Sequence, residues 1–124
     1  IINVASTHGL VASANKSAYV AAKHGIVGLT KSVALEAATS GVTVNAICPG
    51  WVLTPLVEKQ ILARAQAAGI SREQAERELL GEKQPTLRFT IPEQLGSLAV
   101  FMCSPAGDNV CGVAWNVDGG WVAQ

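Results

Sequence analysis

Three short apolar runs, set apart by segments far too long for hairpin turns, constrain this chain more than any other feature. They are Ile1-Ile2-Asn3-Val4-Ala5, Val42-Thr43-Val44-Asn45-Ala46-Ile47 and Val113-Ala114-Trp115-Asn116-Val117. Each reads as a strand, and the first as the end of a buried one. The stretches between them carry helix signals, so successive strands are joined by crossovers. That order predicts an α/β fold with a parallel sheet. At 124 residues and 49% apolar content there is material for one packed unit.

The helices can be placed from their punctuation. Ser17 is expected to cap a long helix reaching about Ala38, with Ile26, Leu29, Val33 and Leu35 as its larger apolar residues. Gly25 and Gly28 inside it cost helix propensity, which predicts close packing there. Cys48-Pro49-Gly50-Trp51 reads as a turn after the second strand, and Thr54-Pro55 as the start of a helix ending before Gly69. Ser71 with Gln74 reads as a capping box for a helix over 72–82. These two helices hold most of the charge and are expected to form a solvated excursion, 54–84, outside the core. Thr90-Ile91-Pro92-Glu93 opens a last helix through about Cys103, with Leu95, Leu98, Ala99 and Met102 on its inner stripe. Asp118-Gly119-Gly120 turns out of the final strand, with Trp121 beyond it.

Ser6 stands where the first strand ends, and Tyr19 and Lys23 lie four apart on the first helix, hence on one face. A hydroxyl at a strand end facing a phenol and an ammonium is a proton-transfer constellation. The ammonium favours the phenolate, which makes the phenol a usable base.

Charge and composition bound the partners. Acidic and basic residues balance at nine each, which speaks against an electrostatic claim on nucleic acid or an anionic membrane. No run reaches transmembrane length and no signal peptide is visible. Cys48, Cys103 and Cys111 lack CxxC spacing, so reduced structural thiols in a cytoplasmic protein are expected rather than zinc, another metal or disulfides. The chain opens without methionine inside an apparent strand, and is expected to be the C-terminal part of something longer.

Ser6, then twelve residues, then Tyr19-x-x-x-Lys23, followed by Asn45-Ala46-Ile47-Cys48-Pro49-Gly50 and Val117-Asp118-Gly119-Gly120, resembles the short-chain dehydrogenase/reductase family. The resemblance covers the whole chain. It implies the C-terminal half of a doubly wound, Rossmann-like fold: a parallel sheet with flanking helices. The runs Ala5–Ser17, Trp51 with Thr54–Gln60, and Gly120-Trp121 resemble members that act on (R)-3-hydroxybutyrate and acetoacetate with NAD as cofactor. By that resemblance Ser6, Tyr19 and Lys23 are catalytic, and Tyr19, Lys23, Pro49, Gly50, Trp51, Val52 and Thr54 contact the cofactor. Ser6, His8, Lys16, Tyr19, Trp51, Gln60 and Trp121 would hold a small 3-hydroxy acid, with 54–84 closing as a lid that carries Gln60 onto the carboxylate. A homotetramer is implied. The glycine-rich phosphate turn of such folds, which follows a strand, is not found in this chain. A reductase of 3-oxoacyl thioesters, or a non-catalytic assembly module, are the other readings.

Overall fold

β1 (Ile2–Val4), β2 (Asn45–Pro49) and β3 (Ala114–Val117) lie side by side in the order β1-β2-β3, every pairing parallel, in a computed structural model that describes residues 1–124. Ile2 pairs with Asn45 and Val4 with Ile47, while Ala46 pairs with Ala114 and Pro49 with Val117. The central strand is buried along its full length. Its first residue, Asn45, is a buried polar joint: its amide donates to Val110 O (2.6 Å) and accepts from Val113 N (3.2 Å), steering the chain into β3. The helices are α1 (Ser17–Glu36), α2 (Pro55–Ala68), α3 (Arg72–Gly81) and α4 (Pro92–Met102).

Local chemistry sets most of these bounds. Thr54 caps α2 by accepting from Val57 N (3.4 Å), proline follows at the first helical position, and Gly69 ends the helix with φ +64°. Ser71 accepts from Gln74 N (3.1 Å), but the Gln74 side chain turns forward to Glu78 (3.2 Å), so the capping box closes on one side only. Ser17 is not a cap. It is the first helical residue of α1, and Lys16 holds the cap position without a side-chain bond.

Several expectations are corrected by what packs on what. Within residues 1–124, β1 has β2 on one side only, which leaves Ile1 and Val4 exposed. β2 starts at Asn45, after Val42 and Thr43, and runs through Pro49, because Gly50 N donates to Val117 O (3.0 Å) and carries the pairing past the expected turn. α1 turns Val27, Thr30 and Ala34 inward at helical spacing and leaves Leu29 and Leu35 exposed. Gly25 and Gly28 have open space where a side chain would go, so no close approach within the chain explains them. On α4 only Met102 is fully buried, and Leu95, Leu98 and Ala99 are half-buried.

Two apolar clusters result. Ala5, Val27, Ala46 and Cys48 join α1 to the sheet. Val57 and Ile61 of α2 meet Ala75 and Leu79 of α3, backed by Trp51, Leu53 and Phe89. The 54–84 segment is therefore not a solvated excursion but a helical hairpin with its own core. The reason is an i, i+4 apolar pair on each helix meeting face to face, while the charges lie outside in exposed pairs such as Arg72–Glu58 and Arg72–Glu76. A parallel bridge between Val52 and Thr90 closes the base of the hairpin, and the Thr90 hydroxyl ties that base to the sheet by donating to Val117 O of β3 (3.1 Å).

Candidate active site

Ala5 N donates to Ile47 O (2.8 Å), extending the β1 ladder by one residue and delivering Ser6 to the carboxyl end of the sheet. Ser6 Oγ accepts from His8 N (3.2 Å) and so caps a single tight turn over Thr7–Gly9. That turn seats directly on α1. A Cβ on Gly9 would lie 2.7 Å from Lys23 O and 2.9 Å from Val27 Cγ2. Glycine is what lets the serine-bearing backbone approach the helix that carries Tyr19 and Lys23.

Tyr19 is about half exposed, at 47%, in the first turns of α1. The Lys23 ammonium donates to Val4 O (3.0 Å), a carbonyl of β1, and stands 5.6 Å from the centre of the Tyr19 ring. The strand end thus fixes the cation beside the phenol.

A cavity of about 350 Å³ opens between these elements, lined by Ser6, Thr7, His8, Lys16, Tyr19, Gly50, Trp51 and Trp121. Its aromatic wall is continuous: the His8 ring stands edge-on to Tyr19 (5.7 Å) and to Trp121 (5.4 Å), and Trp121 lies 6.1 Å from Trp51. Two buried nitrogens here have no hydrogen-bond partner, His8 Nε2 and Trp51 Nε1. Burying a polar group unpaired is costly, so such pairs of orphans mark where a ligand atom belongs. His8 Nδ1 lies 3.4 Å from Ser6 Oγ. A neutral ring that accepts the serine proton at Nδ1 carries its own hydrogen on Nε2, the nitrogen left without a partner. The set is then two ring N–H donors and the Lys16 ammonium, with no carboxylate on the lining, which suits an anion.

Burial, with the Lys16 and Lys83 ammonium groups facing it, pushes the His8 pKa below the ordinary imidazole value. Below about pH 6.5 the unfolded chain takes up a proton that the fold resists. The stability tied to His8 is therefore complete above that pH and falls as the pH drops through the window beneath it. The urea midpoint is expected to be lower at pH 5.5 than at pH 7.5, and His8→Gln is expected to narrow the gap. An equal gap in both proteins would remove His8 from this account. Burial likewise raises the Cys48 thiol, opposed by a bond from the Ser6 backbone and by Lys23, which agrees with the structural role expected of it.

Six residues expected around a substrate line this one cavity: Ser6, His8, Lys16, Tyr19, Trp51 and Trp121. Gln60 does not. It is exposed on α2, because the inner face of that helix is taken by Val57 and Ile61 and the next residue round points away. Of the residues expected at a cofactor, Tyr19, Gly50 and Trp51 line the cavity. Lys23, Pro49, Val52 and Thr54 stand outside it: Pro49 ends β2, Val52 bridges to Thr90, and the Thr54 hydroxyl caps α2. All four of Pro49, Val52, Thr54 and Gly50 nevertheless cluster at the carboxyl end of a parallel strand, where ligands sit in open α/β sheets.

The structure also brings in residues that the sequence did not mark. Thr7 is buried on the cavity wall. Asp118, buried at 4%, accepts from Gly120 N (3.0 Å) and Val122 N (3.0 Å), gripping the chain on both sides of Trp121, and from the Asn116 amide (3.1 Å). The available signal was Asp118-Gly119-Gly120 followed at once by a tryptophan: an aspartate that binds backbone amides ahead of it fixes the next side chain.

Comparison with known proteins gives a consistent picture. The family model described as enoyl-(acyl carrier protein) reductase, of short-chain dehydrogenase/reductase type, matches residues 1–122. The chain is 71% identical over 124 residues to D-beta-hydroxybutyrate dehydrogenase of Cupriavidus necator and 59% identical over 124 residues to that of Rhizobium meliloti, covering all of this chain and 48% of each relative. Among solved structures it resembles L-sorbose reductase from Gluconobacter frateurii complexed with NADPH and L-sorbose, with TM-score 0.92 and 29% identity over all of this chain and 47% of that one. The chain spans about half the length of the curated relatives it matches.

Proposed function

Since the chain belongs to the short-chain dehydrogenase/reductase family, we propose that residues 1–124 form the catalytic and substrate-holding half of an oxidoreductase that interconverts (R)-3-hydroxybutyrate and acetoacetate with NAD. The observation that carries the substrate is the pair of unpartnered buried nitrogens, His8 Nε2 and Trp51 Nε1, on two residues of one cavity lining that also holds Lys16 and no acid. A small carboxylate satisfies both and meets a cation. A thioester offers no such charge, which is why the 3-oxoacyl reading ranks second. The identity to two D-beta-hydroxybutyrate dehydrogenases supports the same choice.

Family members bind nicotinamide cofactors, and the residues present fit one. Lys23 and Tyr19 offer an ammonium and a hydroxyl one helical turn apart, the donor set for a ribose diol, and the Gly50-Trp51 backbone lies at the strand end beside them. When bound, the nicotinamide accepts or gives the hydride. The chain's own residues handle the proton and the geometry. On substrate binding the Ser6 hydroxyl turns its proton from His8 Nδ1 to the reacting oxygen and orients it, and the Tyr19 phenol takes the alcohol proton during oxidation and returns it during reduction. Lys23, held by Val4 O, stabilises the phenolate form. His8, Lys16 and Trp51 hold the carboxylate so that the C3 hydroxyl reaches Ser6 and Tyr19. Closure of the 54–84 hairpin would bring Gln60 to the same carboxylate and exclude water.

Lys16→Met is expected to raise KM for 3-hydroxybutyrate by about ten- to a hundred-fold, the cost of losing one charged hydrogen bond, with kcat nearly unchanged. Wild-type protein is expected to favour the free acid over its methyl ester by a similar factor, and the variant is expected to lose that preference. Equal turnover of acid and ester by the wild type would exclude a carboxylate-binding cavity and return the thioester reading.

A further inference from the structure

Gln84 is 1% exposed, among the most deeply buried polar side chains in the molecule, and no part of the chemistry above uses it. It sits just past α3, where the hairpin returns to the sheet, with its own N–H on Leu80 O (2.7 Å). Both ends of its amide are engaged. Oε1 accepts from Trp51 N (2.9 Å), and Nε2 donates to Arg88 O.

The two glycine motifs at the sheet's carboxyl end are shaped around this side chain. A Cβ on Gly50 would lie 2.7 Å from Gln84 Oε1, and one on Gly119 would lie 2.5 Å from Gln84 Cγ. Gly119 also has φ +58°, a left-handed conformation that glycine adopts without strain. Gln84 shares this crowding with the Asp118 backbone, whose Cα would lie 2.9 Å from a Cβ on Gly50, and with Thr86 Oγ1, which is closer still at Gly119.

What Gln84 holds is the backbone of a cavity residue. Trp51 donates its N–H to Gln84 and accepts from Thr90 N at its carbonyl (3.0 Å), so its peptide units are gripped from both sides. Its ring packs on the hairpin core, the residue lines the cavity, and its Nε1 is buried without a partner. A tryptophan so clamped has little freedom to aim its donor elsewhere, and a donor already aimed spares the ligand that ordering cost. We propose that Gln84 is a positioning residue: its amide, through the Trp51 backbone, fixes the indole in the cavity lining and so sets affinity for the carboxylate. This rests on the cavity being the substrate site.

The test uses purified protein labelled with 5-fluorotryptophan, its three resonances assigned by Trp→Phe variants, alongside kinetics with 3-hydroxybutyrate. Gln84→Met keeps length and loses the acceptor, whereas Gln84→Glu keeps an acceptor for Trp51 N–H. The methionine variant is expected to shift the Trp51 resonance while Trp115, away on β3, stays in place. It is also expected to raise KM about tenfold, the size of one hydrogen bond to a charged group, with kcat within twofold. The glutamate variant, which keeps the acceptor for Trp51 N–H but loses the donor to Arg88 O, is expected to restore the resonance in part and to lie between the methionine variant and the wild type in KM. The proposal is overturned by an unmoved Trp51 resonance, by a moved one with unchanged KM, or by a general fall in kcat and melting temperature that glutamate does not rescue. If Gln84→Met does not fold, Gln84→Asn is read by the same criteria, and failure of all three variants to fold makes the residue merely structural. Should the wild type not turn over 3-hydroxybutyrate, the proposed activity falls and the affinity claim with it, while the fluorine spectrum still decides whether Gln84 positions Trp51.

Discussion

Tyr19→Phe is expected to lower kcat by about 10²- to 10⁴-fold, the range contributed by a positioned general acid or base, with KM and melting temperature nearly unchanged. The ring is about half exposed. Removing one oxygen from such a site leaves the packing against α1 and His8 intact, and surface changes of this kind stay within about ±0.5 kcal/mol. The chemistry is another matter. An alcohol gives up its hydride only as its proton leaves, and no other phenol exists in the chain. His8 cannot substitute, because its Nδ1 faces Ser6 and its burial favours the neutral ring. Steady-state kinetics with thermal denaturation reads both quantities. A variant retaining more than about a tenth of wild-type kcat would assign the proton transfer to another group.

Gly9→Ala is expected to be the most damaging single methyl group near the site. Gly9 does not have a positive φ, so its backbone accepts alanine, and the entropy term alone would stabilise by about 0.4–1 kcal/mol. Packing reverses that sign. The new carbon meets Lys23 O at 2.7 Å and the Lys23 carbonyl carbon at 3.2 Å, and helix backbone cannot rotate away as a side-chain tip can. Overpacking of this sort costs about 1–3 kcal/mol. Relief comes only by lifting the Thr7–Gly9 turn off α1, which draws Ser6 and His8 away from Tyr19 and Lys23. Misplacement by about 1 Å costs roughly 100-fold in rate, so kcat is expected to fall with stability. Gly25→Ala and Gly28→Ala are the controls: both face open space, and each is expected to stabilise α1 by up to about 1 kcal/mol. A Gly9→Ala protein as stable and active as the wild type would unseat the turn from the helix.

These two glycine outcomes show how far the residues could be read alone. All three glycines looked alike in a chain context, and the helical pair seemed the better candidates for close packing. The one that matters sits in a loop, because a close approach is a property of two segments and only one of them is local. The hairpin over 54–84 shows the same limit. Its caps at Thr54, Ser71 and Gly69 follow from side chain to backbone bonds within three or four residues, and its charges were plain. That Ile61 and Ala75 would meet, each 0% exposed, depended on how two helices fold back together. Gln60 was expected at the substrate by its place in a run of residues, yet the helix phase set by Val57 and Ile61 points it outward.

Amino-acid order by itself determined the alternation of strands and helices, most helix ends, and the spacing that puts Ser6 at a strand end and Tyr19 and Lys23 on one helical face. Each of those is a short-range consequence of backbone periodicity and local hydrogen bonding. Only the tertiary structure decided that His8, Lys16, Trp51 and Trp121 share one cavity, that two of its nitrogens stand unpaired, and that Gln84 and Asp118 hold the tryptophans in place. Those contacts join residues 33 or more positions apart or depend on the turn a loop takes, and burial makes each of them matter, since a polar group removed from water has no partner but the one the fold supplies.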